Sequence, residues 1–147
     1  MTHSKTISFL VFAISAIMAT GCASALGTGG VNGNYTGTET GTEGTTSISQ
    51  NLNVSLSQDS LGNVTGTWTD GQSSGSITGT SADGETISPM NVTLNAGNCV
   101  GTLTGSASLS NGTLGGSVTG SANCGQVTLN FNVLNQAAQS NNGSTTY

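Results

Sequence analysis

Six carboxylates and three cysteines carry the acid–base and thiol chemistry open to this 147-residue chain: Glu39, Glu43, Asp59, Asp70, Asp83 and Glu85, with Cys22, Cys99 and Cys124. Lys5 is the only lysine or arginine and His3 the only histidine. Past residue 5 there is therefore no imidazole to activate a hydroxyl or bind zinc and no guanidinium to hold an oxyanion. What remains is hydrolysis of a glycosidic bond by two carboxylates, which needs one acid in an apolar setting. The other reading of these acids is structural. Asp70-Gly71 and Asp83-Gly84 are turn dipeptides, Asp59 precedes Ser60-Leu61-Gly62, and Glu43-Gly44 closes a further turn. No pair has the spacing of a calcium loop or a zinc site. We expect a protein that is not an enzyme and uses no metal or cofactor.

The cysteines divide by context. Lys5 precedes an uncharged apolar run at residues 7–19 that ends in Ala19-Thr20-Gly21-Cys22. A basic start, a short apolar stretch and small residues before a cut describe an export signal, too short to span a bilayer. Ala19-Thr20-Gly21-Cys22 resembles the lipobox of bacterial lipoproteins. That resemblance implies removal of residues 1–21, diacylation of Cys22 as the first mature residue, and a membrane partner held through lipid at the outer membrane or cell surface. Ala23-Ser24-Ala25 is an alternative cleavage site and would give a secreted soluble protein. A chain from Cys22 has 126 residues (147 less 21), suited to one small domain. Without a basic side chain it cannot neutralise phosphates, so nucleic acid is not a partner.

The elements that must position these groups are strands. Between Val31 and Leu134 apolar residues or Gly alternate with Thr, Ser or Asn, and turn signals recur about every dozen residues. In residues 64–69, Val64, Gly66 and Trp68 share one face and three threonines the other. The pattern predicts eight strands, at 33–42, 46–58, 63–69, 72–82, 85–95, 98–110, 113–124 and 127–134, all joined by hairpins. Residues 22–32 read as a tether and 135–147 as a disordered tail.

Register follows from the turns, because opposed residues in a hairpin have a constant sum of numbers. Asn111-Gly112 pairs Leu109 with Leu114, Ala107 with Gly116, Gly105 with Val118 and Leu103 with Gly120, and by extension Cys99 with Cys124. That last pair is a non-hydrogen-bonded one, where Cα atoms approach to roughly 4.5 Å, so a disulfide is expected there. The same rule predicts Tyr35 opposite Leu52, Val64 opposite Ile77, Ile77 opposite Met90, Leu94 opposite Cys99 and Gly120 opposite Phe131. Ser60-Leu61-Gly62 reads as a three-residue loop with Gly in the left-handed position.

An open sheet of eight strands would expose one apolar face and two unprotected edges, whereas closing first strand on last removes both. The expectation is an all-β fold, an eight-stranded antiparallel up-and-down meander barrel. Its outer face of Thr, Ser and Asn is unlike that of a membrane-spanning barrel. In architecture it resembles lipocalins and avidins, and Gly66-Thr67-Trp68 is similar to the Gly-x-Trp of lipocalins. The likeness implies the fold, with no ligand identity; the agreement of seven turns on one register argues for a specified monomer. Tyr35, Glu39, Gln50, Trp68 and Ser73 form the candidate binding set for a small uncharged or apolar ligand, most of them facing inward at the end away from the chain's start. The expected role is that of a lipid-anchored envelope barrel serving as a binding or surface-interaction module. A fibre-forming surface protein and a glycan-acting enzyme centred on Glu39 are the other readings.

Overall fold

The computed structural model describes residues 30–137; the expected export signal, Cys22 and the expected tail from residue 138 lie outside them. Eight strands follow one another: β1 (Gly33–Glu43), β2 (Thr46–Gln58), β3 (Asn63–Thr69), β4 (Ser74–Thr80), β5 (Thr86–Ala96), β6 (Cys99–Ser110), β7 (Thr113–Ala122) and β8 (Gly125–Asn135). Each pairs antiparallel with the next, and β8 returns to β1 to close the barrel. The expected architecture is thus the observed one. Strand ends differ by a few residues, and Asn135, expected in the tail, ends β8 with its N–H donated to Gly112 O at 2.8 Å.

The inward face supplies the core. Leu52, Val54 and Leu56 from β2, Val64 and Trp68 from β3, Leu103 and Ala107 from β6, and Val127, Leu129 and Val133 from β8 are all buried. An eight-stranded barrel is just wide enough for side chains to fill, and the filling here alternates large with small across neighbouring strands. Trp68 faces Gly75, Leu56 and Ile77 flank Gly66, Val118 and Met90 flank Gly105, and Phe131 faces Gly116. The outward face is Ser, Thr and Asn, and Leu61, Val100 and Leu134 are the large exposed apolar residues among those described.

Register was predicted correctly at two turns and corrected at five. At Asn111-Gly112 both central residues are left-handed, φ 50° and 77°, the requirement of a I′ turn. Leu109↔Leu114, Ala107↔Gly116 and Gly105↔Val118 follow as expected. The Ser60-Leu61-Gly62 loop also holds, with Gly62 at φ 84° and the Asp59 carboxylate accepting the N–H groups of Leu61 and Asn63.

Elsewhere the glycine of the X-Gly pair is the first central residue. Gly44 (φ 61°), Gly71 (φ 92°) and Gly97 (φ 55°) are left-handed while the residues after them are not, the arrangement of a II′ turn. The turn centre moves one residue along and the pairing moves by two. Tyr35 faces Val54, Val64 faces Gly79 and Leu94 faces Gly101. At β7–β8 the turn is Asn123-Cys124, so Gly120 faces Val127 and Phe131 faces Gly116.

Between β4 and β5 the Asp83 carboxylate accepts the N–H groups of Glu85 (2.9 Å) and Thr86 (2.7 Å). That wider loop sets Ile77 against Val92. Pro89, after a cis bond, sits where the β5–β6 register shifts between Ile87 and Met90, a place where no ladder N–H is required. The five turn corrections are even, so the residues they place inward stay inward, whereas the irregularity between Ile87 and Met90 is odd and buries Ile87 on the same side as Met90.

One barrel end carries the turns at 44–45, 71–72, 97–98 and 123–124. The other carries the loops at 59–62, 81–85 and 111–112 together with both barrel termini. Val31, expected in the tether, is fully buried and caps this second end. Its carbonyl accepts the Tyr35 hydroxyl at 2.9 Å and its N–H donates to Gln58 Oε1 at 3.2 Å. Gln58 Nε2 in turn donates to Ser81 O at 2.8 Å.

Candidate functional site

The predicted site residues separate into three places. Tyr35 belongs to the end capped by Val31, where burial raises its phenol above the ordinary value. Trp68 is 5% exposed and spans the interior. Its Nε1–H donates to Thr93 O on β5 at 2.9 Å, so the polar edge of the ring is satisfied by the barrel itself. A Cβ added at Gly75 would lie 2.5 Å from that nitrogen, which shows how closely the indole occupies the space the glycine leaves. Ser73 lies in the β3–β4 turn, where its N–H donates to Asp70 Oδ1 at 2.6 Å and its carbonyl accepts from Asp70 N and Thr69 Oγ1.

Glu39 and Gln50 do meet. They are opposed across β1 and β2, and the Gln50 amide donates to Glu39 Oε1 at 2.8 Å. The second N–H of the same amide goes to Asp70 Oδ2, so one neutral group spans β1, β2 and the β3–β4 turn. Asp70 is the partner that sequence reasoning assigned only to a turn. Its other oxygen, Oδ1, accepts the N–H groups of Gln72 and Ser73 at 2.7 and 2.6 Å. The signal that could have joined them is parity: Gln50 faces inward on β2 at the end where the Asp70 turn lies.

Glu39 is 4% exposed. Burial raises its carboxyl above the usual value of 4.5, the Gln50 hydrogen bond works in the other direction, and the charges of Asp70 and Glu43 add to the rise. Glu43 is raised by burial and by Asp70. At the other barrel end Asp83 goes the opposite way, held to about 2 first by the N–H groups of Thr86 and Glu85. Its contribution to stability is present above the ordinary Asp range and is lost as pH falls through about 2.

The interior beside Glu39 is a cavity of about 30 Å³ lined by Trp68, Met90, Phe131 and aliphatic side chains, with Glu39 its single polar wall. A water occupies ~10–15 Å³ on this scale, so two or three waters would fill it. The outer face of β1, β2 and β3 carries a shallow groove of about 220 Å³ bordered by Asn34, Asn53, Ser55, Thr67, Thr69 and Gln136, with no charged side chain. Cys99 and Cys124 are joined as a disulfide with Cα atoms 5.0 Å apart, linking the start of β6 to the β7–β8 turn. Among the described residues no cluster of His, Cys, Asp or Glu is arranged to hold a metal ion. No protein-family model, no curated protein and no solved structure matches this chain.

Proposed function

We propose that this protein is an exported, lipid-anchored β-barrel of the cell envelope that works as a surface-interaction module, presenting a neutral polar outer wall. The observation that carries this reading is the filling of the barrel: the cavity at its centre has room for water only, while the outer face offers an uncharged groove several times larger. Of the two expected modes, binding inside the barrel and contact through its surface, the second is favoured. Closure of β8 on β1 uses every strand edge, which favours a monomer over a fibre built by edge pairing. Against a glycan-acting enzyme, the space between Glu39 and Asp70 is taken by the Gln50 amide.

The anchor rests on the sequence of residues 5–22. Two acyl chains suffice for stable attachment, so the wild-type protein is expected in the membrane fraction and Cys22→Ser in the soluble or unprocessed fraction. A Cys22→Ser protein that stays membrane-bound contradicts the anchor.

A further inference from the structure

The group the proposed role leaves unused is the chain of side chains that closes the turn end of the barrel. Glu39 sits in the wall of the central cavity, Gln50 spends both amide hydrogens on Glu39 and Asp70, and Asp70 holds the N–H groups of Gln72 and Ser73 with its free oxygen. Two adjacent strands, β1 and β2, and the β3–β4 turn are therefore tied through a single neutral amide, which has two donors and no charge to offer.

The charges around this chain all have one sign. From β1 come Glu39 and Glu43, from the β3–β4 turn Asp70. β2 contributes Gln50, and β8 faces Glu39 with Phe131. The cavity wall is otherwise apolar. No lysine, arginine or histidine occurs among the described residues. With Glu39 protonated, one anion accepts from the amide and the buried acid is neutral. With Glu39 ionised, a buried anion faces a second carboxylate across one amide; the Gln50 N–H offsets only part of the burial cost, and beyond it only water can stabilise the charge.

We propose that Glu39, Gln50 and Asp70 form a proton-controlled latch on the turn end of the barrel, closed while Glu39 carries its proton and released when both carboxylates are ionised, so that rising pH admits water to the cavity beside Trp68. The sense of the linkage is fixed. A folded carboxyl that titrates above 4.5 binds its proton more tightly than the unfolded chain does. The stability it contributes is full below the ordinary carboxylate range and is lost as pH rises through the folded value. The latch holds in acid, where most carboxylate-linked stabilisation fails. It depends neither on the lipid anchor nor on the outer surface, so its failure leaves the proposed function untouched.

Trp68 is the only tryptophan and lines the cavity, so it reports directly. Acrylamide quenching of Trp68 is measured from pH 4 to pH 9 on the purified full protein, on Glu39→Gln and on Asp70→Asn. Quenching in the wild type is expected to rise in one step with its midpoint above 4.5. Glu39→Gln should show low quenching throughout, and Asp70→Asn should move the step to lower pH. A flat wild-type profile, or the same step in Glu39→Gln, overturns the latch. Should the variants fail to fold, carbon NMR of the Glu39 carboxyl on the wild type decides. Titration of Glu39 together with the Gln50 side-chain amide supports the latch; titration of Glu39 with that amide unmoved overturns it.

Discussion

Valine in place of Gly75 is expected to destabilise the barrel by about 3 kcal/mol or more, at the upper end of overpacking effects in a filled core. A Cβ at this position overlaps the carbonyl oxygen of Thr93 and comes within 2.5 Å of Trp68 Nε1. Both are partners in the bond that fixes the indole, so neither can give way without losing it. Gly75 and Trp68 are also opposed across β3 and β4, which leaves the ring no space on its own side. Denaturant unfolding checks the magnitude, and the loss of the fixed near-ultraviolet signal of Trp68 checks the cause. A Gly75→Val protein as stable as the wild type would mean that the indole lies elsewhere.

The second large effect belongs to the cystine. Cys99 and Cys124 are 25 residues apart in sequence, and closing a loop of that size restricts the unfolded chain by about 3 kcal/mol. For a domain near 100 residues each kcal/mol moves the melting temperature by about 4–8 °C. Reduction, or the paired change Cys99→Ser with Cys124→Ser, is therefore expected to lower the melting temperature by roughly 12–24 °C. The loss should be the same at low and high salt, because a covalent restriction of the unfolded state is not screened. Calorimetry with and without reductant measures it. An unchanged transition, or peptide mapping that finds either thiol free, contradicts the link and with it the register set by Asn111-Gly112.

That register shows how far the sequence could be read. Asn-Gly demands left-handed backbone at both central positions, φ 50° and 77° here, so it admits one turn and one pairing, and the cysteine pair followed by arithmetic. Glu-Gly, Asp-Gly and Ala-Gly specify less. Glycine serves equally as first or second central residue, and Gly44, Gly71 and Gly97 took the first position. The inward faces set by these turns survived because shifts of two or four preserve parity, but outside the Asn111-Gly112 and Ser60-Leu61-Gly62 hairpins the cross-strand neighbours did not.

This is why the carboxylate cluster was only half legible. Gln50 and Glu39 were placed inward by alternation. Asp70 reaches Gln50 because the turn centres on Gly71-Gln72, leaving Asp70 at the strand's end, where its N–H pairs with Ser73 O. Val31 was hidden for a different reason. It caps the barrel from outside any strand, held by Tyr35 and Gln58, and no periodicity marks a single plug residue.

Packing of the interior ties the fold to the proposed role, since a barrel filled by its own side chains favours action through its wall, held by the proposed anchor. Native mass spectrometry of the protein purified from its own source tests that account most directly. The expected species is a single chain beginning at Cys22, carrying acyl mass, with Cys99 and Cys124 oxidised and no small molecule retained. A chain beginning elsewhere without lipid, or a stoichiometric small molecule that survives transfer to the gas phase, would contradict it.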